Sequence, residues 1–332
     1  MKVLPWFFAV LASSLSFWAG TAWQRNPEKA ALISPKDGHR PAGLAAASKE
    51  HEQTKASMLS SAVPFPKPDE EAQPFKARVR NAFNERNEFR RLQLFHRALA
   101  AMKPAEAMEV QAIFNEHDRQ GRYFLPEYAY FTRRWGEVDG PAAMAFAVKE
   151  WEKKDFMSGI IAQMMGGWAT QQPLAATGWI NQNENVPDWL RTTAISGLTE
   201  GLAKVDPEQA RQLVESRLDD PGIDRYLSVL ADEFIYASGL ERADAWFGEL
   251  PPALSTDSKR RLGNLLVDRH LRAGPQSAAG YVSQHMQEPW FDQSSAMNVA
   301  RQFLKDDAAG ARQWANTLPE NTPLRLWMNA QP

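Results

Sequence analysis

Apolar positions along this chain recur in columns spaced 33 to 36 residues apart. The sharpest column is alanine, at Ala107, Ala143, Ala176, Ala210, Ala243, Ala278 and Ala311. Three residues later come Val110, Phe146, Trp179, Leu213, Trp246, Tyr281 and Trp314. Eight residues earlier come Leu99, Trp135, Trp168, Leu202, Ile235, His270 and Phe303, and twelve earlier come Phe95, Phe131, Met164, Leu198, Ala231, Leu266 and Val299. Positions three or four apart share one face of a helix. The two earlier columns therefore predict a first helix (A), and the alanine and aromatic columns predict a second (B).

Between A and B stand Pro104, Pro141, Pro173, Pro207 and Pro275. Proline suits the first turn of a helix, where its missing N–H would have had no acceptor. Asp206, just before Pro207, reads as an N-cap. A second break falls at Pro187, Pro221, Pro251, Pro289 and Pro319. The small alanine lets two antiparallel helices approach, and the aromatic one turn later fills the space beside it. A single hairpin cannot bury both faces, so neighbouring hairpins must stack. The pattern predicts an all-α fold, an α/α superhelix of about seven helix-turn-helix repeats over residues 76–330.

The period, the hairpin unit, the small residue early in helix B and the proline closing each unit resemble the tetratricopeptide-like α-solenoids. The resemblance covers about Ala82 to Trp327, and helix A lacks the W-x2-L-G-x2-Y run of the full motif. It implies a groove that holds a partner peptide or protein.

The first 75 residues depart from this pattern. Met1-Lys2 precedes an uncharged run from Val3 to Gln24. Residues 1–23 read as a signal peptide, cleaved after Ala22, or as an uncleaved membrane anchor. Both place the remainder outside the cytoplasm. Residues 24–75 carry Pro27, Pro35, Pro41, Pro64, Pro66, Pro68 and Pro74 with little apolar periodicity, the composition of a flexible tether.

Composition narrows the chemistry. The 332 residues include no cysteine, which excludes disulfides, thiol catalysis and cysteine-ligated metals. A net charge of −2 offers no bulk attraction for nucleic acid. No H-E-x-x-H, phosphate loop or G-x-S-x-G occurs. Gly166-Gly167 lies within a predicted helix A and points to close packing. Glu116-His117-Asp118 reads as a solvated helix end before Gly121. His270 stands in a column otherwise apolar and reads as a packed histidine with one hydrogen-bond partner. A catalytic role for it would need a nearby carboxylate, Asp232 or Asp268 being the choices. No metal, cofactor or catalytic residue is expected.

One charged stripe remains. Ten residues before each marker alanine lie Arg97, Arg133, Gly166, Glu200, Glu233, Asp268 and Arg301, opposite the core face of helix A. Their charges run basic, acidic, basic. The six charged members are the candidate partner-binding residues, although any amphipathic helix shows such a face. A basic helix, Lys76 to Arg97, either caps the first repeat or meets anionic lipid. The expected function is a non-enzymatic protein-interaction scaffold, exported or membrane-tethered. The alternatives are a cell-envelope polysaccharide or peptidoglycan binder, using an exposed Trp290 or Trp327, and a hydrolase centred on His270.

Overall fold

The computed structural model describes residues 73–121, 124–150, 157–183 and 186–331. The signal or anchor segment lies outside them, as does all but the last few residues of the tether. Every regular element among the described residues is helical, with fifteen α-helices and one short 3-10 helix. None is long and apolar enough to cross a membrane.

The chain divides into two compact units. The first comprises the described residues up to Ala101 together with Met108–Tyr128; the second comprises Met102–Ala107 and everything from Ala129 on. The first unit holds α1 (Phe75–Asn84), α2 (Glu88–Ala100) and most of α3 (Ala107–Arg119). The expected single basic helix is thus two. Asn87 interrupts it, its side chain accepting the Arg90 N–H at 2.9 Å, an N-cap whose Asn-Glu signal stands in the sequence. Much of the positive charge is paired internally. Arg80 meets Glu116 at 2.8 Å, Arg90 meets Glu85 at 3.2 Å, and Arg91 meets the buried Glu127 at 2.6 Å. Phe83 centres an aromatic cluster, 4.8 to 5.2 Å from the rings of Phe95, Phe114, His117 and Phe124. His117 is buried in that cluster, contrary to the solvated helix end expected for it; Glu116 beside it faces water.

The second unit takes up most of α4 (Leu125–Glu150), then α5 (Met157–Gln171), α6 (Pro173–Gln182), α7 (Asp188–Val205), α8 (Pro207–Glu215) and α9 (Ile223–Ser238). It continues with α10 (Leu240–Gly248), α11 (Thr256–Ala273), α12 (Pro275–His285), α13 (Gln293–Asp306), α14 (Ala308–Thr317) and α15 (Pro323–Asn329). Helix α4 is bent at Asp139 (φ −155°, ψ 73°), where the sequence places a break before Pro141. The same non-helical conformation recurs at Gln172, Asp206 and Asp307, each the only residue between two helices. Gly239 (φ +86°) and Gly274 (φ +142°) are the other single-residue joints, in the left-handed region that glycine enters without strain. At three joints aspartate closes the turn. Asp139, Asp206 and Asp307 accept the N–H three residues on, from Ala142, Gln209 and Gly310, at 2.9 to 3.2 Å.

The predicted columns are the core. All seven marker alanines are at most 1 % exposed, and every member of the column twelve residues earlier is fully buried. Complete burial of a side chain such as Phe131 or Leu266 contributes about 1.5–3 kcal/mol. The aromatic column is less uniform, since Phe146 and Trp179 are half-exposed.

Successive A helices α5, α7, α9, α11 and α13 pack on one another, each with its own B helix beside it. Side-chain bonds between neighbouring A helices join residues 28 to 37 apart, early residues to early and late to late, so these helices run parallel. A close seam lies between α5 and α7. A Cβ on Gly197 would stand 2.3 Å from the Ala162 carbonyl oxygen, and one on Gly201 2.5 Å from that of Gly166. Gly167 makes the same backbone approach to α4, at 2.1 Å from the Arg133 carbonyl, which gives the Gly166-Gly167 pair its packing role.

Candidate functional site

The parallel register decides where the charged stripe goes. Arg133 on α4 reaches across α5 to Glu200 on α7 at 2.7 Å. It passes over Gly166, whose missing side chain leaves the path open: a Cβ there would lie 3.4 Å from the Arg133 guanidinium and 3.7 Å from the Glu200 carboxylate. Glu200 also receives Lys204 at 2.5 Å, and Lys204 lies 3.7 Å from Glu233 on α9. Glu137 closes the other end, 3.8 Å from Arg133. These five side chains are between 11 and 24 % exposed. The stripe's middle is a ladder of alternating charge laced between A helices.

Electrostatics along the ladder are uneven. Burial pushes the Glu200 carboxyl up, but Arg133 and Lys204 together outweigh it and hold it below the usual range. Glu233, at the far end, is raised to about 7, by burial first and then by Glu200, against the pull of Lys204 and Arg133.

The other stripe residues do not join this ladder. Asp268 is half-exposed and pairs with Arg272 at 2.9 Å and Arg269 at 3.3 Å. Arg301 stands over the Trp327 ring, 5.8 Å from its centroid, beside a surface cavity of about 430 Å³ that Lys305 and Leu304 also line. Arg97 sits in the last turn of α2, in the first unit.

A second polar constellation is only partly legible in the sequence. His270, in the last turn of α11, is 7 % exposed. Its Nε2 lies 3.1 Å from both carboxylate oxygens of Asp244 on α10, and its Nδ1 lies 2.8 Å from the Ser277 hydroxyl on α12. It thus has two partners where the sequence suggests one. Neither is Asp232, which binds Arg269 at 2.8 and 2.9 Å, nor Asp268. The Tyr281 ring stacks on His270 at 4.7 Å, and His285 follows at 4.5 Å from Tyr281. Burial, and then Asp244, push the Tyr281 phenol up, and its buried hydroxyl has no hydrogen-bond partner among the described residues. Burial holds the His285 imidazole below its ordinary value.

His285 also borders a surface cavity of about 350 Å³, with Phe247, Lys259, Glu288 and Trp290. Trp290 is buried, its ring 4.8 Å from Phe247; Trp327 is half-exposed. Among the described residues no group of three or more His, Asp or Glu side chains converges as a metal site. Comparison with family models, with curated proteins and with solved structures gives no match.

Proposed function

We propose that this chain is a tetratricopeptide-like α-solenoid, exported or held at a membrane by its N-terminal segment, that binds protein or peptide partners. The parallel run of A helices carries the reading. Parallel helices ending at single-residue joints bring successive joints to one edge. Leu174, Val205 and Tyr236 lie beside three consecutive joints and are 78, 49 and 48 % exposed. Exposed apolar side chains beside consecutive joints form a surface that a partner can cover. Asp268, Arg272 and Arg301 add exposed charge.

The test is capture from native membranes with the full chain, comparing wild type with a Leu174→Glu, Tyr236→Glu double variant. Partners held by the wild type and lost by the variant are expected. An identical captured set would remove this edge as the binding surface. Charge reversal at Glu200 and Glu233 is a poor probe, because both belong to the internal ladder and would report stability instead.

A second reading, binding of an envelope polysaccharide, is favoured by one observation. The half-exposed Trp327 borders the 430 Å³ cavity with Arg301 and Lys305, where an indole face and two cations meet an acidic sugar. Retention on insoluble peptidoglycan, lost on Trp327→Ala, tests it. The burial of Trp290 removes that residue from this role.

A further inference from the structure

Independently of partner binding, we infer that Ser277, His270 and Asp244 form an acyl-transfer centre that hydrolyses short acyl esters displayed on a larger molecule. The two partners of a neutral His270 ring select its tautomer. An ionised carboxylate only accepts, so the His270 nitrogen facing both Asp244 oxygens at 3.1 Å carries the proton. The other nitrogen then presents its lone pair 2.8 Å from Ser277 Oγ, which donates to it. A hydroxyl donating to a neutral imidazole, whose far N–H is oriented by a carboxylate, is the arrangement that activates serine as a nucleophile.

The chain's own periodicity shows that the fold does not require this group. The column of His270 is otherwise Leu, Trp, Ile or Phe, and the positions of Ser277 and Asp244 are Ala142 and Met144 in the α4 hairpin and Gln209 and Arg211 in the α8 hairpin. His270 and Ser277 of one hairpin converge with Asp244 of the preceding one, at a column where neighbouring hairpins carry an apolar side chain. A buried imidazole costs stability unless both nitrogens are satisfied, and here both are. Ser277 also stands in the first turn of α12. The N-cap there is Gly274, without a side chain to take the first-turn N–H groups of Gln276 and Ser277, whereas Asp206 and Asp307 cap theirs. Those N–H groups are donors for a developing oxyanion.

In the reaction Ser277 Oγ attacks the ester carbonyl carbon as its proton passes to His270 Nδ1. The tetrahedral intermediate collapses, the C–O bond to the leaving group breaks, and Nδ1–H protonates the departing alkoxide. Water then attacks the acyl-serine, gives its proton to Nδ1, and releases a carboxylic acid as Ser277 regains its hydrogen. The balance is ester plus water to acid plus alcohol. Ser277 and Asp244 are half-buried, so the centre takes a small protruding acyl group such as acetyl and leaves its carrier outside. Asp244 is a positioning residue, acting through His270.

The experiment uses the purified full chain with a fluorophosphonate probe and with p-nitrophenyl acetate. Covalent labelling at Ser277, located by peptide mass spectrometry, is the expected result, and it needs no variant. Ser277→Ala should lose the label and slow ester hydrolysis by about 10²-fold or more. Asp244→Asn should slow acylation and Asp244→Glu restore it in part, a contrast that a merely structural carboxylate would not give. Failure of the folded wild-type chain to label at Ser277, or ester hydrolysis unchanged in Ser277→Ala, overturns the inference.

Discussion

A single methyl group tests the seam between α5 and α7. In an exposed helix interior, glycine to alanine stabilises by about 1 kcal/mol through propensity alone. Gly280 is exposed in α12, and a Cβ added there would meet nothing within 4 Å, so it should show that gain. Gly197 should show the opposite sign, because its Cβ would meet the Ala162 carbonyl at 2.3 Å and only backbone movement relieves it. Overpacking of this kind costs about 1–3 kcal/mol. Denaturant midpoints of Gly197→Ala and Gly280→Ala, moving in opposite directions, are the expected outcome; parallel shifts would deny the close approach. The joints give a second residue-scale prediction. Asp206→Ala removes the carboxylate that accepts the Gln209 N–H at 3.0 Å and should cost about 1 kcal/mol by the same measurement. Asp206 is readable as a cap because Pro207 follows it directly. Asp139 stands two residues before Pro141, with Gly140 between, and lacks that cue.

Between elements, the ladder from Glu137 to Glu233 makes stability depend on pH in two opposed ways. Glu200 is held low, so its share of stability is present above the unfolded carboxyl value and is lost as pH falls. Glu233 is raised from 4.5 to about 7, so the folded chain holds a proton there that the unfolded chain releases. Stability therefore declines as pH rises through that window, by at most about 3 kcal/mol. Glu233→Gln should cancel the decline: the variant gains on the wild type between pH 5 and pH 8, read from denaturant titrations at both. An equal difference at the two pH values would mean that Glu233 titrates normally. The sequence shows these residues as one stripe, since that needs only 100° per residue. It does not show that Arg133 crosses α5 to reach Glu200, because that depends on the offset between parallel helices and on the gap at Gly166. Asp244 escapes sequence reading for the same reason: it reaches His270 from the preceding hairpin, 26 residues away.

Across the second unit, burial is concentrated in its early hairpins. Helix α7 buries eleven of its eighteen residues, whereas α15 buries two of seven. Amide exchange should accordingly be slowest in α7 and its neighbour α5 and fastest in α15, as mass spectrometry of deuterated peptides would report. Protection that is uniform along the unit would contradict this. At this scale the sequence is most informative, since the alanine and −12 columns name core residues that are buried without exception. The joints carry a consequence for how such a chain tolerates changes in length. One residue added within an A helix beyond the seam turns all that follows by about 100°, and a one-residue joint has no slack to absorb it. Slack exists in the connections from B to the next A helix, of which 216–222 has no large buried side chain. Length can change there without rotating the core, and an epitope tag spliced in at the exposed Asp219 would leave the phase of every downstream helix intact.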